Sequence, residues 1–204
     1  AKSLILIYLF MPRSFFMLEQ SWIEPAILLG FLLFFKFAKK NNNLAIFVIG
    51  LILAIKQIFI ILPLFLYKFF SFKKESIFKI LLVTMLIILP FFLWSPKDFV
   101  NDTFFYHFDP QRSSAPFKMA LTFWIFMLNN FKIKIPMATA FALSLIALFL
   151  PLFVFKKKKV NLFEVLAIGY LGFFYFSFQA FFNYYFLIAG LLLLAVVESL
   201  NKQN

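Results

Sequence analysis

Two polar side chains, Lys56 and Gln57, stand in the middle of an apolar run from Leu44 to Phe70. A cation at the centre of a membrane-crossing helix costs roughly 3 kcal/mol even on the lenient insertion scale, so its retention points to function. The other unusual polar residues are Glu19, Glu24, a hydrophilic stretch from Ser95 to Lys118, and the turn Gln179 to Tyr185 with Asn183 and Tyr184. The hydrophilic stretch carries Asp102, Asp109, Arg112 and the chain's only histidine, His107. A carboxylate can take a proton from a hydroxyl, while lysine offers a point charge and arginine a bidentate fork. Arg112 follows Pro110 and precedes two serines, a pattern suited to a phosphate-binding turn. Each residue also has a plainer use. Lys56 could snorkel to the headgroups, Glu24 could complement a helix dipole, and His107 could pack between its aromatic neighbours. Asp102 and Asp109 could be solvated loop carboxylates.

The elements that must position these groups follow from length. As one straight helix, the run from Leu44 to Phe70 would be roughly 40 Å long, against a hydrocarbon core of about 30 Å. Breaking it at Lys56-Gln57 into a hairpin of two short helices brings the polar pair to a membrane face. Lys39, Lys40, Lys68, Lys73 and Lys74 flank the run, and lysine-rich flanks belong in the cytoplasm, so Lys56 and Gln57 are expected on the outer face. Pro25 suits the first turn of a helix whose N-terminus carries Glu24.

Composition agrees. Of the 204 residues, 64% are hydrophobic and 36 are phenylalanine, and the mean hydropathy is +0.97. No soluble core of this size needs so much apolar surface. The net charge of +12 comes from lysines in short loops between apolar spans, which is the pattern of cytoplasmic loops and argues against a nucleic-acid partner. Without cysteine there is no disulfide or thiolate metal site. The expected fold is all-α: a polytopic transmembrane bundle of about eight spans, with residues 117–128 as an interfacial or re-entrant helix on the outer side. In this arrangement 95–118 is an outer loop, and Glu24, Lys56, Gln57, His107, Arg112 and Asn183 converge on the outer face. Lys132 and Lys134 sit awkwardly there, because the positive-inside rule would put them in the cytoplasm.

The order Trp22-Ile-Glu24-Pro25, helix, Lys39-Lys40, short helix, Lys56-Gln57, short helix ending in Pro63 resembles the GT-C glycosyltransferases, most nearly the bacterial relatives of the mannosyltransferases. The stretch Asp98 to Ser114, with Pro110-Gln-Arg112, is similar to that group's outer loop, and Asn183-Tyr-Tyr185 to its last turn. The resemblance runs over roughly residues 14 to 200. It implies transfer of a hexose from a polyprenyl-phosphate carrier to a glycan, lipid or protein acceptor at the outer face of a bacterial plasma membrane. Under it Glu24, Asp102 and Asp109 are the candidate catalytic carboxylates, with Glu24 as a second acidic group that helps hold metal or acceptor. Lys56 and Arg112, with Gln57 and His107, meet the carrier phosphate, while Asn183 and Tyr184 lie on the sugar or acceptor side. A divalent cation is admitted but not required. The family's usual catalytic aspartate lies in an earlier loop, so the resemblance also implies that this chain is the C-terminal part of a longer protein. The rival readings are a transporter or flippase of lipid-linked glycans, a polysaccharide polymerase or ligase, and a non-catalytic membrane subunit.

Overall fold

Helices account for all the regular structure among the described residues, which in this computed structural model are 10, 14, 17, 19–20, 22–38, 40–70, 72–105, 120–156, 160–178 and 180–203. The helices of eight or more residues are α1 (Glu24–Ala38), α2 (Asn42–Ile55), α3 (Leu62–Phe69), α4 (Lys74–Trp94), α6 (Phe123–Phe131), α7 (Met137–Val154), α8 (Leu162–Phe176) and α9 (Phe182–Gln203). A five-residue helix α5 (Pro96–Val100) and a π-helical turn (Asn101–Phe105) follow α4. The chain divides into two compact units, one of residues 1–28 and 116–204, the other of residues 29–115.

In the unit of residues 29–115 the main partner of α2 is α4. Their seam depends on Gly50, where an added Cβ would lie 2.5 Å from Val83 Cγ1 and 3.4 Å from the Ile80 carbonyl oxygen. Thr84 crosses that seam, its hydroxyl 2.9 Å from the Ile80 carbonyl in its own helix and 3.2 Å from the Gly50 carbonyl opposite. Small residues let helix backbones approach, and a hydroxyl then bridges them, which is how helices associate where the surroundings are as apolar as leucine. Asn41 starts α2 by accepting from the Asn43 and Leu44 N–H groups.

In the other unit α8 packs against both α7 and α9. Close approach recurs at Gly172, where an added Cβ would come within 2.9 Å of Ala147 Cβ. Asn161 and Glu164 form a reciprocal cap on α8. The Asn161 amide also reaches across to the Ala195 carbonyl (3.1 Å) and the Ser199 hydroxyl (3.4 Å) of α9.

On α4 and α7 the burial pattern is inverted from that of a water-soluble bundle. Helix α4 buries Ser76, Ile80 and Thr84 while Phe78, Leu82, Met85, Leu86 and Phe91 are exposed. Helix α7 buries Ala140, Ser144, Leu148 and Pro151 and exposes Phe141, Ile146, Leu150 and Phe153. Large exposed apolar faces on helices long enough to cross a bilayer mark a membrane protein. Among the described residues three helices have that length and composition, Lys74–Trp94, Met137–Val154 and Phe182–Leu200.

Of the roughly eight spans expected, three are thus supported among the described residues. The helices expected at α1, α2, α3 and α8 are present, but at 15, 14, 8 and 15 residues they fall short of the roughly 20 residues a perpendicular crossing takes. Apolar composition alone did not separate a crossing helix from a short helix packed beside one. Most of residues 4–18 lie outside the described residues. Of the segment 117–128, expected as an interfacial or re-entrant helix, the described part is helical from Phe123 and runs on to Phe131, starting where Thr122 supplies a side-chain cap to the Ile125 N–H.

Candidate functional site

Glu24 is the first residue of α1 and only 1% exposed. A carboxylate removed from water needs compensation, and the helix start supplies part of it, because unsatisfied N–H groups and the helix dipole favour an anion there. A further part comes from α9. The Asn183 side-chain amide donates to Glu24 Oε1 at 2.8 Å, joining positions 159 residues apart. Asn183 lies in the first turn of its own helix, so the carboxylate sits where the starts of two helices meet. Glu24 Oε2 and Asn183 Oδ1 are also enclosed.

The surroundings of this pair are held in place by the turn before α9. Tyr184 lays its ring on Phe174, with centroids 4.3 Å apart and planes 29° from parallel. The Leu121 N–H donates to the Ala180 carbonyl at 2.7 Å, and the Tyr185 hydroxyl donates to the Leu121 carbonyl. The Trp124 indole N–H donates to the Phe176 carbonyl, and Phe123 meets Tyr175 and Phe176 through its ring. Helix α6 is thereby fastened to the end of α8 and the start of α9. Tyr184 and Tyr185 hold this framework together.

In the other unit the predicted break falls at Lys56. Helix α2 ends at Ile55, Lys56 takes extended backbone (φ −146°, ψ 112°), and a 3-10 turn from Gln57 to Ile61 leads into α3. The Lys56 N–H still donates to the Ile52 carbonyl and its carbonyl accepts from Phe59, so the break leaves both backbone groups satisfied. Lys56 is half-buried and Gln57 exposed. The expected hairpin is not the organising contact, since α2 packs on α4 rather than chiefly on α3. The reason is the Gly50 seam, which gives α2 a closer partner than the helix that follows it.

Asp102 is exposed in the π-helical turn. Asp98 accepts from the Ser95 hydroxyl at 2.6 Å, a local side-chain contact at the start of α5. His107, Asp109 and Arg112 lie outside the described residues. Of the nine predicted site residues, the structure therefore joins Glu24 and Asn183 directly, with Tyr184 beside Asn183 in the chain. Among the described residues no three His, Asp or Glu side chains group into a cation cage. A groove along α7, lined by Leu145, Ile146, Phe149, Leu150 and Phe153, is wholly apolar. Sequence reading missed Asn161, although its spacing to Glu164 is the signature of a capping box.

No protein-family model, curated protein or solved structure matches this chain.

Proposed function

We propose that this chain is the membrane part of a glycosyltransferase that moves a hexose from a polyprenyl-phosphate carrier to an acceptor hydroxyl at the outer face of a bacterial plasma membrane. The observation that carries the reading is the buried Glu24 carboxylate, held by Asn183 where two helices begin, in a protein whose long helices expose large apolar faces. Buried charge at membrane depth is expensive and is retained where it has work to do.

In the proposed reaction the acceptor oxygen bonds to the anomeric carbon as the carbon–oxygen bond to the carrier phosphate breaks. The acceptor proton passes to a carboxylate, and the leaving phosphate gains negative charge. Lys56, half-buried at the break after α2, and Arg112 are assigned to that phosphate. Asp102 and Asp109, in the hydrophilic stretch, are assigned to the aqueous side of proton transfer. The enclosure of Glu24 suits it to orienting the acceptor or a divalent cation. Its amide contact changes the part given to Asn183, which is better placed to set that carboxylate than to touch sugar.

The test uses the full chain in proteoliposomes with radiolabelled polyprenyl-phosphate hexose. Transfer and release of the polyprenyl phosphate are expected, with Lys56→Ala and Arg112→Ala each reducing turnover about a hundredfold or more, the range for removing one group that stabilises developing charge. Unchanged turnover in both variants would sink the phosphate assignment. Movement of intact donor across the bilayer without bond cleavage would replace the transferase reading with that of a flippase.

A further inference from the structure

Helix α7 has lysines beyond both ends, Lys132 and Lys134 before it and the run from Lys156 to Lys159 after it. Its 18 residues span roughly 27 Å, close to the thickness of a hydrocarbon core, so a crossing α7 puts the two groups at opposite membrane surfaces. The positive-inside rule accounts for only one of them. The four-lysine run is the stronger topological signal, which leaves Lys132 and Lys134 to be explained.

Their setting explains them. Helix α6 ends as Lys132 turns into the left-handed region (φ 59°), and its ammonium donates to the Asn129 carbonyl at 3.1 Å. The chain then runs without regular structure to Pro136. Beside the exposed lysines, Phe126, Phe131 and Ile133 are 55%, 61% and 45% exposed. The two phenylalanine rings meet edge to face, with centroids 6.0 Å apart, and so present one apolar wedge. No aspartate or glutamate occurs between Asp109 and Glu164, so no local carboxylate neutralises these lysines. An aromatic and aliphatic wedge bordered by unneutralised lysines, placed at the end of a crossing helix, fits the boundary between acyl chains and anionic headgroups.

We propose that the segment from Phe126 to Lys134 docks on the headgroups of anionic phospholipids in the leaflet at the N-terminal end of α7. The wedge enters the acyl boundary, and Lys132 and Lys134 meet lipid phosphates above it. The assignment is independent of the transferase reading and concerns only how this face of the protein is solvated.

The test is native mass spectrometry of the full chain from mixed micelles holding equal phosphatidylglycerol and phosphatidylcholine. The wild type is expected to retain phosphatidylglycerol preferentially. Each lysine near an anionic surface corresponds to about a fivefold change in affinity. Lys132→Gln with Lys134→Gln should therefore weaken phosphatidylglycerol retention roughly 25-fold and leave phosphatidylcholine unchanged. Should the double variant fail to purify, the exposed Lys134→Gln alone carries the test, with about a fivefold loss. Equal retention of the two lipids by the wild type overturns the proposal, as does an unchanged preference in the variants. Displacement of the lipid by millimolar inorganic phosphate also overturns it, since that would mark a small phosphate site rather than a lipid surface.

Discussion

The two units of this chain share close helix seams, at Gly50 in one and Gly172 in the other, but differ in how many side-chain polar ties each adds. The unit of residues 29–115 relies mainly on close backbone approach and ring packing, with the Thr84 hydroxyl bridging its α2–α4 seam. Gly50 admits Val83 and Thr84 of α4, Phe31 meets Phe59 edge to face, and Phe34 packs against Phe70 and Phe72. The unit of residues 1–28 and 116–204 adds side-chain polar ties between distant positions: Glu24 with Asn183, Asn161 with Ala195 and Ser199, Trp124 with Phe176, Tyr185 with Leu121. Packing contacts tolerate shifts of a few tenths of an ångström. A buried hydrogen bond to a carboxylate does not, because its loss leaves charge unsolvated. Polar ties are thus the more demanding of the two and the better markers of a site that must keep its geometry.

The largest effect is expected where that demand is greatest. Asn183→Leu removes the amide from Glu24 and should cost roughly 3 kcal/mol in detergent-micelle unfolding. Adding Glu24→Gln should recover much of the loss by removing the buried charge. A loss below about 1 kcal/mol, or no recovery in the double variant, would mean that the pair is incidental and that both units are packing-held.

The counterpart in the other unit is Gly50→Val. Its added carbons must displace Val83, so about 2 kcal/mol of destabilisation is expected from overpacking. The same measurement after Gly50→Ala should show a smaller loss. If Val is tolerated as well as Gly, the close seam is not what joins α2 to α4.

The smallest effect separates the hydroxyl from the packing at that seam. Thr84→Val keeps the volume and removes the bond to the Gly50 carbonyl, for which about 0.6 kcal/mol is the typical worth between membrane helices. A loss several times larger would make the second unit polar-held too, and would erase the contrast.

Much of this was legible in the chain. Apolar runs bounded by lysines gave helices in nearly the expected places, and the break at Lys56 followed from a cation in too long a run. Pro25 behind Glu24 marked the start of α1. The count of crossings was not legible, because length falls short in α1, α2, α3 and α8 only after capping and seams decide where each helix ends. The roles of Tyr184 and Tyr185 also escaped, since an interfacial tyrosine and one that ties a turn have the same composition.

The sequence by itself determined helical structure, apolar surfaces suited to lipid, and the local starts and stops of the elements, because those depend on neighbours within a few residues. Only the tertiary structure decided that Asn183 would meet Glu24 across 159 positions and that Gly50 would receive Val83. Apolar helices carry almost no local information about their partners. The choice is made by shape complementarity at small residues and by the few polar groups that must be satisfied once water is gone.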